Sequence, residues 1–472
     1  MGATQAIVAK DWTEFRRDPR FVVMALIAFV LALAAIATSY VRVAAWETDR
    51  VATEARDRQT WLNQGERNPH GAAHFSSWAM RPLTPTALLD PGVVPYAGTA
   101  IWMEAHKQNA ARNRPVQDSA SAFDLGQFSL GWTMQIVIPL LLFAIGAGLI
   151  ARERERGTLR LIVASADGAQ IVNAKFRALA RTTAILLGPV LVAGAVAAML
   201  LAGRINGESL LRLGAWLVSY GAFLFMVIAA AVTVSTFSRT TSRAMIALIG
   251  IWLVAALLVP RVAGAIGGAL APTPAAEVFA SGIAADRMKY ADGHASPVEA
   301  LKAIILKRYG VARVEDLRVS MGGLQLEEGE RQGNLVFDKH FGDLTAIYQR
   351  QRAIVRLVGA VSPLPSLQNI SMALAGTDLP SQLAFQQQAE THRRTVVTML
   401  NTDMIRNAGR LDFDYKTDRR LWSRTPEFQF RPASMAQVFR TVWADLLILL
   451  GWVGLGAVML DRARRHLSRN AL

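Results

Sequence analysis

The chain holds 472 residues, 52% of them hydrophobic, carries a formal net charge of +15 and contains no cysteine. Few soluble proteins of this length are so apolar, and the missing cysteine excludes disulfides, iron–sulfur clusters, thiol catalysis and cysteine-based zinc sites. The basic balance does not point to nucleic acid: no run of Lys and Arg is interleaved with stacking aromatics, and basic loops beside a membrane account for the charge.

Residues 1–20 form a basic lead, with Lys10, Arg16, Arg17 and Arg20 ahead of an apolar run at 21–41. Secretory h-regions are ~7–15 residues long, so this longer run reads as an uncleaved anchor. Five further apolar runs follow, at 131–151, 181–202, 214–237, 244–260 and 441–460. Each is near the ~20 residues a helix needs to cross a ~30 Å hydrocarbon layer. Lipid offers the backbone no hydrogen bonds, so helices are the natural form. Six spans put four basic segments on one side. These are the N-terminal lead; Arg152, Arg154, Arg156, Arg160, Lys175 and Arg177; Arg239 and Arg243; and Arg462, Arg464, Arg465 and Arg469. The positive-inside rule makes that side cytoplasmic, with both termini inside. The two long segments, 42–130 and 261–435, then lie outside, in the periplasm.

Segment 42–130, with Pro69, Pro82, Pro85, Pro91 and Pro95, reads as irregular. Segment 261–435 reads as helical. Ser296-Pro297-Val298-Glu299 is a capping box with Pro at the first helical position. It opens a helix carrying Leu301, Ile304, Ile305 and Tyr309, stopped by Gly310. A longer amphipathic pattern covers 336–361 and ends at Ser362-Pro363-Leu364-Pro365. Asp378 caps a third helix, with Pro380 in its first turn, running to about residue 406. No alternating run is long enough for a large sheet. The expectation is an all-α membrane protein of six transmembrane helices, with one large, mainly helical outer domain built from two insertions.

Several residues could carry chemistry. After the second run the chain reads Ala151-Arg152-Glu153-Arg154-Glu155-Arg156-Gly157-Thr158-Leu159-Arg160 and continues to Lys175. A charged helix end leaves the membrane, breaks at Gly157 and re-enters an amphipathic stretch. Arg156, Arg160 and Lys175 then face the cytosol or a partner; the alternative is a connector held at anionic headgroups. His70 and His74 stand four apart, a spacing that puts both imidazoles on one helix face as zinc or copper ligands. His106, His340 or a carboxylate would have to join them, and loop hydrogen bonding is the plainer role. Asp445 lies inside the last apolar run, where a carboxylate suggests gating or transport, or a simple pair with Arg440. Glu327, Glu328, Glu330 and Asp338 read as a solvated acidic face. Pro139 and Pro189 read as kinks, and Gly146, Gly148, Gly451 and Gly454 as close helix contacts. No nucleophile–base pair or carboxylate pair suggests an enzyme.

The stretch ARERERGTLRLIVAS…NAKF resembles the Glu-Arg-Glu-x-Gly-Thr-Leu…Lys-Phe segment of ABC-2 type transporter permeases. IVAKDWTEFRRDPR is similar to the amphipathic elbow helix before their first span. NPHGAAHF, DPGVVPYAGTAIWMEAHKQN, YGVARVEDL and VSPLPSLQNISMALAGTDL resemble the DUF3526 branch of that family. The resemblance implies an ABC-2, type V exporter-like fold, with an elbow at 1–20, a coupling segment at 152–180 and a cytoplasmic tail at 461–472. It implies that Glu153, Glu155, Arg156, Gly157, Thr158, Leu159, Arg160 and Lys175 couple to an ATPase. It implies a bacterial inner-membrane exporter subunit that works with ABC ATPase subunits and with a second permease copy or a paralogue. The chain has no G-x-x-x-x-G-K-[ST] with which to cradle ATP phosphates, so ATP and Mg fall to the partner ATPase and no cofactor is expected here. Mechanotransmission to a periplasmic partner, or a membrane-anchored periplasmic binding or sensor protein, are the alternative readings.

Overall fold

The computed structural model describes residues 2–75, 77–114, 128–203, 206–292 and 297–470. The expected N-cap at Ser296 lies outside the described residues. Among the described residues six helices are long and apolar enough to cross a membrane, as the apolar runs predict.

Helix α1 (Ala3–Arg17) precedes the first span. Asp18 then accepts a hydrogen bond from the Arg20 backbone N–H, and Pro19 opens α2 (Pro19–Leu62). At 44 residues and 1.5 Å per residue, α2 is about 66 Å long, twice the ~30 Å apolar layer. Its first half is apolar. Its second half carries charge, with Arg50 paired to Glu47 and Glu54 one turn either side. The start of segment 42–130 is therefore helix, not irregular chain. Ion pairs at helical spacing support it where apolar periodicity is lacking. Beyond it come α3 (Pro69–Phe75) and an antiparallel hairpin of β1 (Ser77–Met80) and β2 (Ala100–Met103), in register Ser77 to Met103.

The second span is α4 (Leu130–Glu155), with a π turn at Thr133–Val137 just before Pro139, which has no N–H to offer the helix. A short helix, α5 (Leu159–Ser165), leads into α6 (Gly168–Ala202), followed by α7 (Gly207–Phe237) and α8 (Thr241–Leu270). A Cβ at Gly146 would meet the Ala231 Cβ at 2.5 Å, so the α4 backbone packs directly on the Ala231 methyl of α7 there. A Cβ built at Gly451 or Gly454 would meet nothing within 4 Å among the described residues, so neither makes the close helix contact expected of it in this chain.

Segment 261–435 holds α9 (Ala276–Asp292), α10 (Pro297–Tyr309), α11 (Met321–Gly359), α12 (Pro363–Ala375) and α13 (Leu379–Asn407), and α14 (Met435–Asn470) is the last span. Asp378 caps α13 through the Ser381 N–H, as its sequence predicts. On α10, Leu301 and Ile305 face Leu317 and Met321, while Ile304 and Tyr309 are exposed. The two insertions share two cores. One joins Trp61, Ala72, Ala73 and Ala105 to Val397, Leu400, Leu421 and Trp422; the other joins Ala79, Ile101 and Met103 to Phe385 and Ala389.

Helix α1 and the end of α14 lie on one face of the bundle. Ser468 donates to Asp167 at 2.8 Å, and the His466 and Phe237 rings sit 4.5 Å apart. The two-insertion domain occupies the opposite face.

Helices α11 and α12 form a hairpin that dips back into the bundle. Its tip donates from Ser362 to the Ala255 carbonyl (3.0 Å), near the centre of α8. Trp452, near the centre of α14, donates to Ala360 (3.0 Å). Ser362-Pro363-Leu364-Pro365, read from sequence as a helix end, also begins one. Ser362 caps Leu364, and Pro363 takes a first-turn position where no N–H is needed. Leu364, Leu367, Ile370, Ala373 and Leu374 of α12 join the core of the spans.

Candidate functional site

On the face that holds α1 and the end of α14, the ARERERG run is divided among four tasks. Arg154 donates to the carbonyls of Thr236 (2.8 Å) and Ser238 at the end of α7, where unpaired carbonyls and the helix dipole attract a cation. Glu155 accepts from Thr241 at the start of α8 (2.6 Å). Glu153 is buried, pairs with Lys10 of α1, and accepts from the Thr158 hydroxyl. Arg156 is exposed.

Lys175 does not face outward as its sequence context suggests. It and Asp11 are each 2% exposed and pair at 2.8 Å, with Glu153 3.5 Å from the same ammonium group. Lys175 stands on the inner face of α6 with Ile171, Val172, Ala178 and Leu179. Burial pushes the Asp11 carboxyl up, against the pull of Lys175. The network Lys10–Glu153–Lys175–Asp11 clamps α1 to α4 and α6. The segment expected as one coupling unit is thus two parts, since Lys175 belongs to the long α6 and only α5 stands free.

Gly157 has φ +75°, a left-handed conformation that glycine adopts without steric cost, and it makes the expected break. Beyond it, Thr158 and Leu159 are half-buried, Arg160 is exposed and Leu161 is 73% exposed. The clamp and Gly157 together present α5 as a short, supported projection bearing Arg156, Arg160 and Leu161.

Asp445 is fully buried. It pairs not with Arg440 but with Arg356 of α11 (2.7 and 3.1 Å) and accepts from Asn369 of α12 (2.9 Å). Arg352 and Arg356 also donate to the Thr441 carbonyl (3.0 and 3.2 Å). A buried carboxylate alone costs several kcal/mol, so this pairing fixes the hairpin to the last span. Beneath the hairpin tip lies an apolar cavity of about 410 Å³, lined by Pro139, Phe143, Met226, Trp252, Leu364 and Trp452 among others.

The acidic group is not one solvated face. Glu328 pairs with Arg331 and Asp338 with Arg394, but Glu327 accepts from Thr398 and Asn401, and Glu330 is 5% exposed. Burial alone would raise the Glu330 carboxyl; His106 and Arg393 outweigh it and hold it down to about 2. His70 and His74 meet His106 in the two-insertion domain. The hairpin, the Arg356 partner and the role of Glu330 were not found from sequence. Ser362 followed by Pro363, and the carboxylate of Asp445 inside the last apolar run, were the available signals.

A six-span helical bundle, one face bearing a supported short helix and the other a two-insertion domain, defines a multi-pass membrane protein built to meet a partner. Residues 5–323 match the family model for ABC-2 family transporter protein, and residues 280–431 match the domain of unknown function DUF3526. The chain belongs to the ABC-2 transporter family and is a permease-type membrane component of an ABC transporter. That family implies partnership with an ABC ATPase subunit. No curated protein gives a significant match.

Proposed function

We propose that this chain is the membrane subunit of a bacterial inner-membrane exporter driven by a separate ABC ATPase. Both termini and α5 face the cytoplasm, and the two-insertion domain faces the periplasm. The ATPase binds ATP and Mg, and closure of two ATPases pushes on α5 in each of two permease halves, this chain and a second copy or paralogue. The observation that carries the reading is the supported projection of α5. Its exposed Arg156, Arg160 and Leu161 offer charge and apolar area to a partner, and the buried Lys10–Glu153–Lys175–Asp11 clamp behind it passes force to α1, α4 and α6 rather than letting the loop yield. The cavity under the hairpin supports a cargo with an apolar portion that leaves through or from the bilayer.

Arg156→Glu/Arg160→Glu tests this. Charge complementarity guides docking, and neither position lies in an apolar run. Membrane abundance should stay normal while copurification of the ATPase and ATP-driven activity fall together. Full ATPase association with full activity in that variant would overturn the coupling role of α5.

A second reading, mechanotransmission to a periplasmic partner, is favoured by α11. One continuous helix of 39 residues runs from the outer domain to the Arg356–Asp445 pair inside the bundle. Movement of the spans would then be delivered outward as domain motion.

A further inference from the structure

Three imidazoles from two separate stretches of chain converge in the outer domain. His70 and His74 lie one turn apart on α3. Asn68 starts that helix, its side-chain oxygen accepting from the N–H groups of His70 (2.9 Å) and Gly71 (3.3 Å). His106 follows β2 at φ +64°, a conformation uncommon outside glycine. The His74 and His106 Nε2 atoms stand 3.1 and 3.3 Å from the Nε2 of His70, and one ligand atom from each ring lies within 4.8 Å of the others.

A tetrahedral ion held by imidazoles at ~2.0–2.1 Å sets its nitrogen donors about 3.3–3.4 Å apart. The spacing seen here is close to that of a ligand set. Hydrogen bonding among the rings accounts for it poorly. The Glu330 carboxylate lies 2.7 Å from His106 Nδ1, which holds the ring proton there and leaves a lone pair on Nε2. A single proton then has to serve both Nε2 contacts, whereas a cation serves all three atoms.

The surroundings match those of a metal site. Metal-bound histidines commonly give their other N–H to a carboxylate or carbonyl oxygen, which fixes the ring. Glu330, buried and paired with Arg393 at 3.1 Å, does this for His106. His70 Nδ1 is buried beside Asn401, and among the described residues neither it nor the Asn401 side-chain oxygen has a hydrogen-bond partner; a ring bound at Nε2 would donate to that oxygen.

We propose that His70, His74 and His106 bind one divalent transition-metal ion of the zinc class, with a fourth position open on the side of the exposed His74. Three neutral nitrogen donors suit Zn(II), Cu(II) or Ni(II), and not Ca(II) or Mg(II), which take oxygen ligands. The ion ties α3 and the turn after β2, both from the first insertion, to α11 and α13 of the second through Glu330 and Arg393. The site stands on the outer-domain geometry alone and is independent of transport direction or cargo.

The test uses the purified full-length chain in nanodiscs, stripped with EDTA and titrated with ZnCl2 and, separately, CoCl2. One ion per chain should bind with submicromolar zinc affinity, and Co(II) should give the intense visible bands of a four-coordinate centre. His74→Ala, which removes an exposed ring, should abolish stoichiometric binding and the bands while leaving the metal-free melting temperature unchanged. Glu330→Gln should keep the bands and weaken binding about 10–100-fold. Absence of stoichiometric binding by the natural chain would overturn the proposal, as would binding and bands unaltered in His70→Ala/His74→Ala.

Discussion

Replacing Lys175 by Met removes the ammonium group and keeps the apolar stem. Asp11 is then left 2% exposed, with one carboxylate oxygen already lacking a hydrogen-bond partner. It has two ways to respond. Staying ionised costs about 3–5 kcal/mol for an uncompensated buried charge. Taking up a proton at pH 7 costs about 4 kcal/mol for a carboxyl that ordinarily titrates near 3.9. The cheaper route sets the ceiling, and nearby Lys10 lowers it, so we expect a loss of about 2–4 kcal/mol. Burial already favours the protonated form of Asp11, so protonation is the expected route and the loss should depend on pH. It should shrink by about 1.4 kcal/mol per pH unit as pH falls from 7 toward 4. The assay is thermal unfolding in detergent at pH 5, 6 and 7, where a loss of this size lowers Tm by several degrees. The double variant Asp11→Asn/Lys175→Met, which leaves no buried charge on α1, should recover more than half of the loss. A single variant that melts with the natural protein, a loss unchanged with pH, or a double variant no better than the single would refute the clamp.

Two further predictions follow from the outer half of the molecule. Burial pushes the Asp90 carboxyl up to about 6, against hydrogen bonds from Ser371 and the Gly92 N–H. Below about pH 4 both folded and unfolded forms are protonated; between about 4 and 6 the unfolded chain ionises first, so stability should fall by roughly 3 kcal/mol as pH rises and then level off. Asp90→Asn should remove that slope from a Tm series, and a slope retained in the variant counts against the assignment. Because the chain has no cysteine, single thiols report topology directly. Ser423→Cys should react with an impermeant reagent in intact spheroplasts and Ser165→Cys only after lysis; the reverse pattern would invert the orientation.

The spans were legible because a bilayer sets a length that apolar composition must fill, and nothing else in a chain looks like twenty apolar residues. The hairpin escaped for the converse reason. Helix α12 has only 13 residues and includes Ser366, Gln368, Asn369 and Ser371, while the descending end of α11 carries Arg352 and Arg356 within a pattern that reads as an ordinary amphipathic helix. Inside the bundle Asn369, Ser371, Arg352 and Arg356 find Asp445, Trp216 and the Thr441 carbonyl, and a linear reading does not see such partners. Lys175 shows the same limit at one residue: its motif marks it, but the apolar stripe Ile171, Val172, Ala178 and Leu179 decides which way it points. His70 and His74 were legible by their spacing. His106 stood only as one of several possible partners, because the β1–β2 pairing, not sequence spacing, brings it back across 31 intervening residues.

The length of α11 bears directly on whether the machine moves cargo or moves its outer domain. About 39 Å of helix separates Glu330, in the outer domain, from Arg356 at the membrane pair, at 1.5 Å per residue. A shift at Arg356 therefore reaches the outer domain with little loss if the helix slides as a rod along α8. The contact between the two is close: a Cβ built at Gly267 would fall 2.9 Å from a Val355 methyl. Cysteines at Gly267 and Val355 would thus stand near the separation a disulfide accepts, with Cβ atoms about 3.5–4.5 Å apart. Oxidation of Gly267→Cys/Val355→Cys should leave membrane abundance and ATPase association intact, because neither position lies near α5. If α11 slides during the cycle, the oxidised protein should lose ATP-driven function and regain it on reduction, while Val355→Cys alone works throughout. An oxidised double variant with full function would show that α11 is a fixed strut. Transport through the bundle would then be the whole of the mechanism, and the outer domain would serve as a static platform.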